Sequence, residues 1–153
     1  GLDETWPPVP TRIPSGRGGR TISPRQWITK VEAEDRFQNT MTQLVDSCGD
    51  LLKSSDFRRV AIFYTLYSVV YHALYGLPGQ TGGALFEGFR SRNIAALRSG
   101  IEEFEQALRA DALDDTVPAW KRNLVVASSR QTDNIGPRRQ RFDELWRLAD
   151  LAR

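Results

Sequence analysis

The chain has a concentration of arginines near its C-terminal end, in the segment SSRQTDNIGPRRQRFDELW at residues 128–146. A guanidinium group presents a planar set of donors that fits carboxylates and phosphates. Arg138 and Arg139 follow Pro137 in the predicted first turn of a helix, where cations oppose the helix dipole. Since stability alone would favour Asp or Glu there, and since the free amides of a helix start attract anions, the segment predicts an anion-binding edge. The candidate phosphate ligands are Arg130, Arg138, Arg139 and Arg141, with Thr132 and Asn134 positioning the turn.

The same arginines have a structural alternative. Arg130, Asp133, Arg141 and Asp143 could form internal ion pairs that lock the turn to the helix, because arginines often make such bridges. If they instead face outward, the phosphates of DNA or RNA are the commonest large anion they would meet. Both alternatives stay open on the sequence alone.

A second polar group lies on an apolar segment that the spacing predicts to be a helix, at about 57–75. At 100° per residue the four tyrosines of the chain share one arc of about 80°, and a serine and the only histidine run beside them. This group comprises Tyr64, Tyr67, Ser68, Tyr71, His72 and Tyr75. Three interpretations are open: a platform on which nucleic-acid bases stack, a site formed by phenol and imidazole groups, or a row of core aromatic residues whose hydroxyl groups lie at the edge of the core. No spacing supplies the partner that catalysis by His72 would need, so we assign no catalytic residue.

The residues that could hold a metal or a cofactor form no convincing site. Six carboxylates lie between residues 102 and 115, but no second cluster accompanies them, which favours a solvated helix face. One His and one Cys exclude the usual four-ligand zinc site. The glycines at 79–83 lack the lysine of a phosphate-binding loop. We therefore assign no metal and no cofactor.

Apolar residues recur at three- and four-residue spacing, which predicts helices that position these groups. The predicted helices span about 24–48, with an alternative end at Leu52, and about 57–75, 84–110, 118–128 and 137–152. The first starts at Ser23-Pro24, and a break near Ser99-Gly100 is an alternative for the third. The second is apolar on nearly all sides, so the others should pack around it. The predicted fold is an all-α bundle of four to five helices around a buried central helix, with an irregular N-terminal arm.

Length and composition agree with one globular domain. The chain has 153 residues, 40% hydrophobic and 26% charged, with a net charge of +2, and most of its 21 cationic residues are arginines. Residues 1–22 are rich in Pro and Gly and predict a linker or arm, followed by one helical domain at 23–153. The single Cys48 fits a reducing compartment, so we expect a cytoplasmic protein. The longest apolar run, 60–77, is too polar for a membrane span. Since the chain opens without Met, we expect a fragment of a longer protein.

The arginine-rich segment resembles one near the end of the helical region in GmrSD-type restriction proteins, which have a ParB-like N-terminal domain. That region carries Arg-x-Thr, a short gap, Arg-x-x-Arg and a hydrophobic helix. The matching residues here are Arg130, Thr132, Arg138 and Arg141, followed by Phe142, Leu145 and Trp146. The segment DFRRVAIFYTLYSVVYHALYGLPG, at 56–79, is similar to the apolar helix of that family.

The resemblance implies a role in defence against foreign or modified DNA. The family's Gln-Arg motif and HNH motif are absent from this chain, so we expect a non-catalytic helical domain. Through its arginine-rich edge it would contact DNA or a neighbouring nuclease or NTPase domain, namely the ParB-like N-terminal domain or a partner subunit. Two alternatives remain. One is a helical protein-interaction adaptor that binds no nucleic acid, and the other is an enzyme with a site around His72 and the tyrosines.

Overall fold

A computed structural model describes residues 28–80, 85, 88–129 and 132–151 of the chain. These residues form five α-helices, with a short 3-10 turn at Asp56–Arg58 and no strand. The helices are α1 (Lys30–Leu52), α2 (Val60–Tyr75), α3 (Ser91–Leu108), α4 (Ala119–Ser129) and α5 (Ile135–Ala149). The predicted all-α fold is therefore confirmed. The predicted arm at 1–22, the helix start at Ser23-Pro24, and Arg130 lie outside the described residues.

The chain divides into two compact units, residues 1–39 and 40–153. In the first unit the described residues are the start of α1. The hydroxyl oxygen of Thr29 accepts a hydrogen bond from the backbone N–H of Glu32, at 3.1 Å, which is the usual role of an N-cap residue. Glu32 also forms an ion pair with Arg36 one turn later, at 2.5 Å. Since residues 28 and 29 are not helical, the prediction that this helix starts near residue 24 is wrong.

The second unit contains a continuous apolar core with α2 at its centre. Eight residues of α2 are buried: Ile62, Thr65, Leu66, Val69, Val70, His72, Ala73 and Leu74. α5 packs against α2, α3 and α4, which confirms a bundle around a central helix. The first turns of α2 nevertheless reach the surface, since Val60 is 85% and Tyr64 52% exposed. None of the described helices is long and apolar enough to cross a membrane.

The end of α2 follows the sequence signal, whereas its start at Val60 comes after a 3-10 turn that the prediction of a helix from about residue 57 includes. At the start, Oγ of Ser55 accepts a hydrogen bond from the N–H of Phe57, at 3.3 Å, in the 3-10 turn that precedes the helix. At the end, Gly76 has a φ of 76°, a backbone conformation that suits glycine. Its N–H donates to the carbonyl oxygen of His72, at 2.9 Å. The chain then continues into the loop 77–80, which borders the site described below.

Gly100 marks a close approach of two helices and does not break α3. A Cβ atom at this position would lie 2.7 Å from both Cα and N of Ala149 on α5. Only a residue without a side chain fits that distance, so Gly100 lets the backbones of α3 and α5 touch. The alternative of a break near Ser99-Gly100 is therefore wrong: α3 is continuous through both residues, and the glycine is explained by the packing of α3 against α5.

Candidate anion-binding cleft between α2 and α5

Arg141 lies inside the protein, with only 1% of its surface exposed. Its Nε donates to Oγ1 of Thr65 on α2, at 3.2 Å. Its Nη1 donates to the carbonyl oxygen of Ala127 on α4, at 2.5 Å, and its Nη2 to that of Thr132 in the following turn, at 2.8 Å. One guanidinium thus joins α2, α4, the turn and α5. The expectation that Arg141 faces outward is wrong, because these buried oxygens need its donors.

The ion pairs predicted as the structural alternative do not form around Arg141. Its three partners are uncharged oxygens, and none of the described carboxylates forms an ion pair with it. Asp143, a predicted partner, lies instead 4.0 Å from Nε of Arg139, and both of these side chains are largely exposed. The structural alternative required the turn before α5 to be fixed to the helix. Arg141 does fix it, but through bonds to carbonyl and hydroxyl oxygens and not through ion pairs. The positive charge of Arg141 is therefore left without a bonded counter-ion in the described structure.

Other guanidinium groups surround that buried charge. Burial lowers the pKa of Arg141, the nearby charges of Arg138 and Arg59 lower it further, and Asp133 acts in the opposite direction. An arginine stays protonated at neutral pH despite such shifts. Three positive charges are thus crowded where α2 and α5 begin, and Asp133 is the described carboxylate that opposes them. This field attracts anions.

Arg59 belongs to this group, although the sequence offered little to assign it there. Its Nη2 donates to the carbonyl oxygen of Ser128, next to the Ala127 carbonyl that Arg141 holds. Two arginines therefore cover the C-terminal carbonyls of α4, where the helix dipole favours cations. The signal that could have found Arg59 is its position immediately before the most apolar helix.

Arg138 and Arg139 are exposed, as predicted. The guanidinium of Arg138 lies over the ring of Tyr64, with Cζ 5.1 Å from the ring centroid, and forms no ion pair with a described carboxylate. Arg139 has only the long contact with Asp143. Both groups therefore retain N–H donors that are free to meet an anion from solvent.

Two clefts of about 390 and 320 Å³ lie side by side at this place. They share Tyr64, Arg138 and Arg141, and the larger one extends to Arg139, Ser68 and the loop 77–80. The described lining of the larger cleft includes three arginines and no carboxylate. The smaller cleft adds Val60, Ala61, Thr132 and Asp133. We call the pair the α2–α5 cleft.

Thr132 and Asn134 contribute to this site through their backbones. The carbonyl oxygen of Thr132 accepts from Arg141, and that of Asn134 accepts from the N–H of Arg138 in the first turn of α5, at 3.1 Å. Thr132 also lines the smaller cleft. Their predicted placement in the turn agrees with the structure, and the carbonyl groups of both residues supply bonds that fix the turn.

The four tyrosines form a ladder along α2. Successive ring centroids are 6.4 Å apart for Tyr64–Tyr67, 6.2 Å for Tyr67–Tyr71 and 5.2 Å for Tyr71–Tyr75. Tyr64 is the most exposed of them, whereas the other three are half-buried. Burial raises the pKa of Tyr67, against the effect of a hydrogen bond with Thr40. The ladder thus emerges from the core and reaches the surface at the α2–α5 cleft.

His72 is fully buried, with the indole ring of Trp146 at 4.6 Å and the ring of Phe142 at 5.6 Å between centroids. Its Nδ1 accepts a hydrogen bond from the N–H of Leu77, at 2.8 Å. A general base needs a free nitrogen that substrate can reach. The enzyme alternative required an open cleft at His72, and the structure instead uses this ring to hold the end of α2 and the loop after it.

Several carboxylates between residues 102 and 115 have local structural roles. Oε1 of Glu105 accepts from the N–H of Asp56, at 2.7 Å. Asp111 and Asp114 accept from backbone N–H groups two residues later, both at 2.8 Å, as aspartates in turns commonly do. Asp115 pairs with Arg122. Among the described residues, no group of three or more His, Cys, Asp or Glu is arranged to hold a metal ion.

Models of protein families, curated protein sequences and solved structures were compared with the chain, and none of them matches it.

Proposed function

We propose that this chain is a non-catalytic helical domain that contacts the phosphate groups of DNA through the α2–α5 cleft, within a DNA-restriction or phage-defence protein. The observation that supports the proposal is the unbalanced charge of the cleft, whose larger part has three arginines and no carboxylate in its described lining. The restriction context is supported only by the sequence resemblance at residues 56–79 and 128–146.

Each arginine has a distinct part in this proposal. Arg138 and Arg139 contact phosphate directly, since both are exposed at the start of α5. Arg141 contributes charge from within the wall and fixes the position of the turn. Arg59 adds to the same field from the start of α2. Phosphate contacts of this kind give affinity and salt dependence, and they carry no sequence information.

The adaptor alternative has less support. The adaptor alternative requires an acidic segment and a basic segment that each bind a protein partner. Three carboxylates of the acidic segment, Glu105, Asp111 and Asp114, already accept hydrogen bonds from backbone N–H groups of this chain. Arg138 and Arg139, by contrast, form no side-chain bond to a described backbone group, and their contacts are the Tyr64 ring and the long ion contact with Asp143. An anionic ligand therefore accounts for more of the observed charge than two separate protein partners do.

The test is a double substitution, Arg138→Ala with Arg139→Ala, measured by fluorescence anisotropy with labelled DNA over a range of salt concentrations. We expect the dissociation constant to rise about tenfold or more and the slope of log K against log salt to fall by about 2, roughly one per lost contact. The matched control is Arg92→Ala with Arg109→Ala, which removes the same charge from exposed sites on α3 and just after it. An equal loss in the control pair, or no loss in the cleft pair, refutes the proposal.

A further inference from the structure

We infer that the α2–α5 cleft takes single-stranded DNA in preference to duplex, with one base stacked against Tyr64. This inference rests on the proposed function, because it specifies the form of DNA that the same cleft accepts. It depends on three features: the size of the cleft, the exposed aromatic ring within it, and the way the arginines are placed around that ring.

The dimensions of the cleft suit single nucleotides. The two parts, of about 390 and 320 Å³, lie at the low end of the range for small-ligand sites, which is about 300–1,000 Å³. A duplex presents its phosphates on a convex surface and keeps its bases stacked inside. A small concave cleft is filled better by one or two nucleotides whose bases are already unpaired.

Tyr64 supplies the stacking surface. Tyr64 is 52% exposed and belongs to the lining of both parts of the cleft. Neighbouring rings of the ladder support it from the core side, with Tyr67 at 6.4 Å, so its orientation is fixed by packing along α2. An aromatic side chain beside a cationic groove is the usual arrangement for binding single strands without sequence preference.

The arginines are placed to hold phosphates on either side of such a base. Arg138 lies over the Tyr64 ring in the free protein, so a base that stacks there takes the place of its guanidinium. Since Arg138 lines both parts of the cleft, the displaced guanidinium can donate to a phosphate in either part. Arg139 is at the larger part. In the smaller part, the carboxylate of Asp133 partly offsets the positive charge of the arginines. We therefore place the nucleotide in the larger part, where Ser68 and Gln80 add polar groups to the lining.

The experiment compares binding of a fluorescein-labelled 12-nucleotide oligo-dT with binding of a 12-base-pair duplex, at the same salt concentration. We expect the single strand to bind more tightly. Tyr64→Ala should weaken single-strand binding about tenfold, within the range measured for loss of one stacking partner, and should weaken duplex binding by a smaller factor, because a duplex loses only the support that the ring gives to Arg138. Tyr64→Phe keeps the ring and should bind as the unchanged protein does.

A second measurement reports stacking directly. An oligonucleotide with one 2-aminopurine should lose fluorescence on binding, and Tyr64→Ala should abolish that loss while Tyr64→Phe retains it. The control variant is Leu113→Ala, which truncates an apolar side chain that is 91% exposed elsewhere on the chain. Circular dichroism of each variant checks that it is folded.

The outcomes separate this inference from the proposed function. If duplex binds as tightly as single strand, or Tyr64→Ala behaves like Leu113→Ala, the single-strand inference is wrong. If the arginine pair still controls duplex binding in that case, the proposed function stands. If neither form of DNA binds the unchanged protein, both are wrong.

Discussion

Arg141 on α5 and Thr65 on α2 are joined by a buried hydrogen bond, from Nε to Oγ1 at 3.2 Å. The same threonine hydroxyl donates to the carbonyl oxygen of Ala61 one turn earlier, at 3.0 Å, so both its donor and its acceptor capacities are used. Together with the carbonyl groups of Ala127 and Thr132, this bond makes Arg141 a connector of four segments. Its main role is therefore to fix the wall of the cleft.

We predict that Arg141→Met lowers the free energy of unfolding by about 2–3 kcal/mol. The substitution removes a desolvated charge, which is favourable, but it leaves the oxygens of Thr65 and Ala127 buried without this donor and that of Thr132 partly buried, and each buried group of this kind costs about 1–3 kcal/mol. Urea denaturation followed by circular dichroism measures the change. Arg139→Met is the control, because an exposed residue with one long ion contact should change stability by less than about 0.5 kcal/mol. A variant with Met at position 141 that is as stable as the original protein would contradict the connector role.

We predict that Gly100→Ala destabilises the protein although Ala is the better helix former. The intrinsic preference favours Ala by about 1 kcal/mol, but the new methyl group would meet the backbone of Ala149 at 2.7 Å. Backbone cannot move aside as a flexible side chain does, so overpacking of about 1–3 kcal/mol or more should dominate. Thermal denaturation gives the sign. The control is Gly49→Ala, where the nearest atom, Cγ1 of Val45, is at 3.6 Å and stability should not fall appreciably.

A third prediction concerns acid stability and the pair formed by Asp50 and Arg98. Both carboxylate oxygens of Asp50 accept from the guanidinium of Arg98, each at 2.7 Å, and these bonds hold the pKa of Asp50 below its usual range. The pair thus contributes its full stabilisation above the ordinary carboxyl pKa of about 4. That contribution is lost as the pH falls below this value, because the unfolded chain takes up the proton first.

Melting temperatures recorded between about pH 2 and pH 6 test this linkage. Asp50→Asn should show a smaller decrease in melting temperature with falling pH than the original protein shows. Asp46→Asn, at an exposed position on the same helix with no ion pair to a described residue, should reproduce the original slope. If both variants give the same slope, the pair at Asp50 does not contribute to acid stability.

The fold was predictable where local chemistry decides the structure. The end of α2 was predictable because the positive φ of Gly76 is a property of a single residue, whereas Ser55 caps the 3-10 turn Asp56–Arg58 and α2 itself begins only at Val60. The central position of α2 followed from its apolar surface, which only burial by other helices can satisfy. The start of α1 was misplaced since Thr29 and Glu32 compete with Ser23-Pro24 as a start signal, and spacing alone does not rank two caps.

The candidate site was less predictable, because it depends on which side chains meet in three dimensions. Arg138, Arg139 and Arg141 are equivalent on the sequence, but the rotation of α5 turns one inward and two outward. On the sequence, Gly100 suggested a break in the helix. Its actual role, which is to allow close contact with Ala149, could not be read there because Ala149 is 49 residues later. The place of Arg59 beside Arg141 could not be inferred for the same reason.

The crowding of Arg59, Arg138 and Arg141 at the cleft has a thermodynamic consequence. Folding brings these like charges together, and among the described carboxylates Asp133 is the one that acts on Arg141 against them. An anion that occupies the cleft acts as the missing counter-ion, and it does so only in the native conformation. Occupancy and folding are therefore linked by mass action, so the ligand makes the native state more stable as its free concentration rises above its dissociation constant.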